Sequence, residues 1–279
     1  MNKKGILFTI TTIFLLLAVF MLSSAYLTRN KDLQRTVVLS LSGNKLKYIE
    51  DDVTDDIYED ILGMNIKSIT RGTDVKVAFN FSNLTASVNH SLLMENYEDF
   101  IEGLYSTRNN LNVTLKEFNN SFSVSPYNST FILDSDMFYG YTTNPDYITK
   151  INITLNLDEP SPNLTQSKPG DSGAIEIAVD ITHNGGRHIA SANLAPASAN
   201  DPFYITFTNG TRIDVNFGTY NGNNGVLRIN ASGLQANTVD IEYTYNLTSE
   251  KVAIKGGNLS ISSPVGNITK QTQIIIAQE

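Results

Sequence analysis

An uncharged apolar segment at the N-terminus constrains this chain more than any other feature. From Ile6 to Leu22 the sequence is interrupted only by three threonines, and the apolar character can extend to Leu27. At 1.5 Å per helical residue the segment measures about 25 to 33 Å, close to the hydrocarbon thickness of a bilayer. We therefore expect residues 1–28 to form a helical signal or transmembrane anchor, with residues 6–27 in the membrane.

The flanking residues leave the type of membrane segment open. Ser23-Ser24-Ala25 could be the cleavage site of a secretory signal, although the apolar part of such signals has about 7 to 15 residues. An uncleaved anchor with its bulk outside fits the length better. Lys3 and Lys4 precede the segment, as the positive-inside rule expects, but three basic residues also follow it, at Arg29, Lys31 and Arg35.

A third possibility comes from the run Lys3-Lys4-Gly5-Ile6-Leu7-Phe8-Thr9, in which charge and glycine directly precede an apolar helix. It resembles the class III signal of type IV pilins and their archaeal relatives. The resemblance implies that a prepilin peptidase cuts between Gly5 and Ile6 and leaves the apolar helix on the mature protein. Bacterial pilins usually carry Glu at the fifth mature position, here Ile10, whereas many archaeal relatives lack it. The similarity is therefore to the archaeal type.

Asn-x-Ser/Thr triplets crowd residues 80–279 and are absent from residues 1–79. Such a triplet, a sequon, is an N-glycosylation acceptor and indicates a chain that crosses a membrane and meets a glycosyltransferase. The thirteen candidate acceptors are Asn80, Asn83, Asn89, Asn112, Asn119, Asn128, Asn152, Asn163, Asn209, Asn230, Asn246, Asn258 and Asn267.

Composition narrows the possible functions. Residues 1–36 carry a net charge of +4 and the remainder −12, a basic anchor and an acidic exterior. Nucleic acid is disfavoured as a partner, because the exterior has no basic patch to displace counterions from phosphates. Cysteine is absent, which excludes disulfides, thiolate catalysis and cysteine-ligated zinc.

Hydrophobic periodicity predicts a helical stalk over residues 29–64 and an α+β domain over 65–157. Gly43-Asn44 indicates a break within the stalk, and apolar residues from Leu46 to Ile61 recur at spacings of three and four, typical of an amphipathic helix. Its other face is acidic. The α+β domain has alternating strands such as Val75–Phe81 and Ile148–Leu157 and a helix over Ser91–Ser106.

Residues 158–170 hold three prolines and are predicted to be a linker. Beyond it, residues 171–279 alternate throughout, with the hairpin signal Asn209-Gly210 between two strands. About seven strands predict an immunoglobulin-like β-sandwich domain. The fold class expected for the chain is therefore mainly β, with an N-terminal transmembrane helix, an α+β unit and a C-terminal sandwich.

Three short patterns are candidates for catalysis or metal binding. Gly170-Asp171-Ser172-Gly173 looks like the nucleophile turn of chymotrypsin-like proteases, but no motif around His90 supports it as a base. His183 and His188 could ligate a metal, yet no third ligand is evident. The acidic helix lacks a calcium-loop pattern. A turn, surface histidines and a solvated face explain these patterns, so no catalytic, cofactor or metal residue is assigned and no enzyme is expected.

Together these features predict a membrane-anchored, N-glycosylated structural protein of a cell surface, with an extracellular ectodomain. The resemblance points to a pilin-like subunit of a filament related to type IV pili, assembled from copies of itself or other pilin-like subunits, on an archaeal cell. Lys3, Lys4, Gly5 and Ile6 would form the peptidase site. The alternatives are an uncleaved anchored adhesin or envelope glycoprotein and, third, an extracellular hydrolase.

Overall fold

A computed structural model describes residues 3–55, 63–85, 87–117, 120–264 and 268–279. The helices are α1 (Lys3–Asp55), α2 (His90–Phe100) and α3 (Ser106–Asn109), with a π-helical turn, Ile101–Tyr105, joining the last two. The strands are β1 (Met64–Arg71), β2 (Asp74–Thr85), β3 (Asn112–Lys116), β4 (Ser121–Ser125), β5 (Ser129–Asp134), β6 (Met137–Thr142), β7 (Ile148–Leu157), β8 (Asn163–Ser167), β9 (Ile175–His183), β10 (Gly186–Leu194), β11 (Phe203–Phe207), β12 (Arg212–Tyr220), β13 (Asn223–Asn230), β14 (Gln235–Asn246), β15 (Ala253–Ser263) and β16 (Ile268–Gln278).

The strands form two sheets. The six-stranded sheet has the order β1-β2-β14-β7-β9-β10, and only its β7–β9 pair is parallel among the described strands. The larger sheet has the order β16-β15-β4-β5-β6-β13-β12-β11-β8, with β3 also paired to β15. The predicted mainly β class with a long N-terminal helix is confirmed.

An aromatic layer holds the two sheets face to face. Phe79 of β2 lies 4.9 Å from Phe131 of β5, measured between ring centroids, and Tyr243 of β14 lies 4.9 Å from the same ring. At the other end of the sandwich the ring of His183 on β9 is 5.1 Å from Phe207 on β11. Because strands alternate their faces, the inward residues of both sheets merge into one hydrophobic core.

The domain boundaries expected from the sequence are corrected by the strand order. β14 of the predicted sandwich domain lies between β2 and β7 of the predicted α+β domain, and each sheet contains strands from both sides of residues 158–170. Residues 163–167 of the expected linker form β8, which pairs with β11. The strands of residues 171–279 thus do not make a sandwich of their own, because six of their eleven described pairings are with strands of residues 64–157.

Helix α1 runs without a break through Gly43-Asn44, where the sequence indicated one. A glycine inside a helix costs only about 1 kcal/mol relative to alanine. Just beyond it Leu46, Ile49 and Val53 are buried against the sandwich, and burying each contributes about 1.5–3 kcal/mol. Packing therefore outweighs the glycine. The rest of the predicted acidic helix, Asp56 to Ile61, lies outside the described residues.

Candidate functional site: the anchoring helix and the sequons

The N-terminal part of α1 projects from the sandwich with its apolar side chains uncovered. Between Ile13 and Leu22 the large apolar side chains are 48–77 % exposed. Within Thr12–Thr54, an 18-residue window of the helix has a mean hydropathy of 1.7, and none of the residues in that window is buried. Helix α1 is therefore long and apolar enough to cross a membrane. Lys3, Lys4, Gly5 and Ile6 are its first four residues.

The C-terminal part of α1 is fixed to the sandwich. Leu46, Ile49 and Val53 are at most 2 % exposed, and the helix contacts β15 and β16. We call these three buried residues and their contacts with the sandwich the seat of α1. Polar contacts surround the seat: the Tyr105 hydroxyl donates to Asp52 Oδ2 at 2.6 Å, and Lys270 pairs with Glu50. Two carboxylates of the predicted acidic face thus have partners rather than water alone. A single helix therefore links the membrane-length segment to the sandwich.

A second apolar stripe begins on α1 after the membrane-length segment and runs along the exposed side of the helix as far as Tyr48, beside the buried residues. Leu33, Val37, Leu41 and Tyr48 are 56–67 % exposed. At about 100° per residue these side chains share one helix face, roughly 150° away from the buried face of the seat. We call these four residues the helical stripe. Within the described residues, no part of the sandwich covers these side chains. Exposed leucines and valines in such a row are typical of a helix that meets another helix.

The sequons are spread over the sandwich, and the acceptor asparagines differ in accessibility. Those with exposed side chains are Asn89, Asn112, Asn128, Asn163, Asn209 and Asn246; those that are half-buried are Asn80, Asn152, Asn230 and Asn258. Asn83 lies in β2, and Asn119 and Asn267 lie outside the described residues. Asn89 caps α2, because its Oδ1 accepts from the amide of Leu92.

Two acceptors belong to a polar ladder on the outer face of the six-stranded sheet. Asn80 Nδ2 donates to Asp240 Oδ1 at 2.9 Å, and Asn152 Nδ2 donates to Glu242 Oε1 at 3.0 Å. Lys67 pairs with the same Asp240 carboxylate at 2.5 Å. Such cross-strand pairs contribute roughly 0.2–1 kcal/mol each. This face is therefore hydrated and charged rather than apolar.

The sequon Asn209-Gly210-Thr211 is held by a buried carboxylate. Glu159 is 4 % exposed, and its Oε2 accepts from Asn209 Nδ2 at 3.0 Å and from the Thr211 hydroxyl at 3.1 Å. Its Oε1 accepts from the amide of Ser161 at 2.7 Å. Burial raises the pKa of Glu159, but these hydrogen bonds outweigh it and hold the pKa below the ordinary value. Both polar groups of this sequon are thus occupied by the fold.

The serine and histidine candidates for catalysis and metal binding lie within the sandwich, where Ser172 and His183 make structural hydrogen bonds. Ser172 lies in the loop between β8 and β9, where its hydroxyl donates to Asn200 Oδ1 at 2.7 Å and accepts from the amide of Ala195. His183 Nδ1 accepts from the amide of Gly185 at 3.0 Å. Burial lowers the pKa of His90 and of His188. Within the described ranges no three His, Asp or Glu side chains converge as metal ligands would.

Sequence motifs could locate the helix and the sequons but not their partners. Glu159, which clamps Asn209, lies 50 residues earlier in the predicted linker. Comparison with protein families, with curated proteins and with solved structures gives no match to this chain.

Proposed function

We propose that the protein is a membrane-anchored, N-glycosylated structural protein of the cell surface, and that it serves as a pilin-like subunit of a filament related to type IV pili. The observation that carries the proposal is the form of α1. One uninterrupted helix of 53 residues, about 80 Å long, is seated on the sandwich at one end and exposes apolar side chains from Ile13 to Leu41.

The mechanism is assembly. In the membrane, the apolar side chains of residues 6–27 contact lipid. In a filament, the same side chains contact helices of neighbouring subunits, so the helix exchanges one apolar environment for another at little cost in hydration. The exposed stripe Leu33, Val37, Leu41 and Tyr48 extends this contact surface past the membrane. A helix meant only to anchor the protein has no need of it.

Processing belongs to the same proposal. Cleavage between Gly5 and Ile6 would remove Lys3 and Lys4, the two charges that precede the apolar segment. A lysine pair carried into a bundle of apolar helices would be costly to bury. Removing it suits the N-terminus to a filament core. The sequons support a position of the sandwich outside the cell, where glycans would hydrate an exterior of net charge −12.

Mass spectrometry of the mature protein from its native membrane tests the proposal at its first step. An N-terminal peptide that begins with Ile6 supports prepilin processing and filament assembly. A peptide that begins with Tyr26 identifies a secreted glycoprotein instead. An intact N-terminus overturns the pilin proposal and leaves an anchored surface protein.

A second candidate function, an uncleaved anchored adhesin or envelope glycoprotein, is favoured by the charges next to the apolar segment. Arg29, Lys31 and Arg35 all follow Leu27 within eight residues. Charges there suit lipid headgroups and do not suit a dry helix bundle. Electron microscopy of cell-surface filaments, with antibody against the sandwich, separates the two: label along filaments supports the subunit, and label confined to the envelope supports the anchored protein.

A further inference from the structure

A shallow trough crosses the outer face of the sheet at β3, β15 and β16. Asn258 on β15 lies directly opposite Lys116 on β3 and Gln273 on β16, and Ser260 lies opposite Gln271. The central strand therefore presents two short side chains between strands that carry long ones. The space enclosed measures about 340 Å³, within the roughly 300–1,000 Å³ of small-ligand clefts.

The floor of this trough is a sequon. Asn258, Leu259 and Ser260 all line it, and they form an N-glycosylation triplet. Leu259 points into the core, being 1 % exposed, so it contributes through its backbone, while Asn258 and Ser260 face outward. The acceptor amide thus lies on the floor of a groove rather than at the tip of a turn.

Two local features fix the direction of the Asn258 side chain. The β15–β16 register shifts between Lys255 and Asn258, and such a break in the ladder changes the direction of the side chains beside it. On the other flank, Glu117 has a left-handed backbone with φ of 54°, and its Oε2 accepts from Asn258 Nδ2 at 2.6 Å. An amide nitrogen has two hydrogens. The carboxylate holds one of them, and the other is available for substitution.

We propose that Asn258 carries an N-glycan whose first sugar occupies this trough, an inference that rests on the proposed export of the sandwich. In the transfer step Nδ2 attacks the anomeric carbon of a lipid-phosphate-linked oligosaccharide. The new N–C bond forms, the bond from that carbon to phosphate oxygen breaks, and the lipid phosphate leaves with the electron pair. The proton that Nδ2 loses ends on the released lipid phosphate, and Nδ2 keeps its other hydrogen for the bond to Glu117.

The walls suit a sugar, in particular an N-acetylated one. Gln271 and Gln273 offer amide donors and acceptors, and Lys116 offers three donors, all of which match hydroxyl and acetamido groups. A sugar bound to these walls would bridge β3, β15 and β16. In the described sheet β16 is an edge strand that pairs only with β15. The glycan would therefore hold the edge of the sheet closed.

The experiment combines glycopeptide mapping of the native full-length protein with hydrogen exchange on β16. Two hydrogen bonds from the sugar to the walls are worth about a factor of ten in exchange rate. Ser260→Ala deletes the sequon but keeps the bond from Asn258 to Glu117, and we expect β16 amides to exchange about tenfold faster.

Gln273→Ala keeps the sequon but shortens one wall of the trough, and we expect a glycan on Asn258 with part of the exchange protection of β16 lost. Thr165→Ala, which deletes the exposed sequon of Asn163 on β8, is the matched control and should leave β16 unchanged.

The outcomes separate this inference from the proposed function. A glycan on Asn258, together with the expected loss of exchange protection, supports binding of its first sugar in the trough. A glycan on Asn258 with no change in the exchange of β16 amides in Ser260→Ala overturns binding of the sugar in the trough. A bare Asn258 beside glycans elsewhere also overturns it, while the surface glycoprotein stands. If every sequon is bare, the glycoprotein part of the proposed function fails together with this inference.

Discussion

Replacing Ile49 by alanine should loosen the seat of α1, whereas the same replacement at Leu41 should not. Ile49 is 1 % exposed and packs in the core, so the change removes three buried carbons worth about 2.4 kcal/mol at roughly 0.8 kcal/mol each. The cavity left behind adds to this, and comparable substitutions cost about 2–5 kcal/mol. Leu41 is 63 % exposed on the same helix, so its replacement should change the free energy of unfolding by no more than about 0.5 kcal/mol.

The assay is equilibrium unfolding by urea of the full chain in detergent. The chain has 13 tyrosines and no tryptophan, so tyrosine fluorescence reports the sandwich. With the slope m unchanged, the midpoint should fall for Ile49→Ala and stay in place for Leu41→Ala. Filament yield should show the reverse order of effects if the helical stripe contacts neighbouring subunits.

Equal losses of stability for the two variants would refute this account of the seat. The two substitutions are on the same helix, eight residues apart, and each replaces a four-carbon aliphatic side chain by alanine, but only Ile49 is buried. A loss at Leu41 as large as that at Ile49 would mean that the isolated subunit covers the stripe itself. The stripe would then be unavailable to a partner.

Three further predictions concern the sandwich. Glu159→Gln should lower the free energy of unfolding of the sandwich by about 1–3 kcal/mol at neutral pH. Because the folded pKa of Glu159 is lowered, this difference from wild type should persist above the ordinary pKa of 4.5 and vanish as the pH falls through the folded pKa. Urea unfolding at a series of pH values would show it. Asn209 should be recovered unmodified in glycopeptide mapping, because Glu159 accepts a hydrogen bond from the Thr211 hydroxyl of its sequon as well as from the Asn209 amide, whereas Glu117 accepts only from the amide of Asn258; a glycan on Asn209 would contradict this account. Gly140→Ala should cost about 1–3 kcal/mol, because its methyl group would press against the Tyr243 hydroxyl, whereas Gly103→Ala, with open space around it, should be neutral or stabilising in a thermal melt.

Local sequence patterns predicted those elements whose structure is determined locally. The predicted strand Ile148–Leu157 has the bounds of β7, and its alternation of buried and outward residues holds from Ile151 to Leu157. Asn209-Gly210 lies in the turn between β11 and β12, with φ of +86° at Gly210. Alternation identifies the inward face of a strand but not the strand beside it. For that reason the pairing of β14 with both β2 and β7 could not be predicted.

The strands that sequence analysis missed have weaker or interrupted patterns. β8 consists of exposed residues between prolines and is held by its pairing with β11, so its composition is that of a linker. β10 follows a Gly-Gly turn and alternates alanine with polar residues, which gives little hydrophobic contrast. The sequons are recognisable as motifs in the sequence. The carboxylates that hold Asn209 and Asn258 are distant along the chain, and only the fold brings them together.

The central position of β14 determines when the molecule can be completed. Its residues 235–246 pair with β2, about 160 positions earlier, and with β7 on the other side. Until they arrive, a chain emerging from a translocon carries two long strands with unsatisfied edges, open to pairing with other chains. Loop closure over such distances is slow. If the proposed glycosylation takes place, glycans attached near these edges would act during this interval as well as afterwards, by keeping partly folded chains apart.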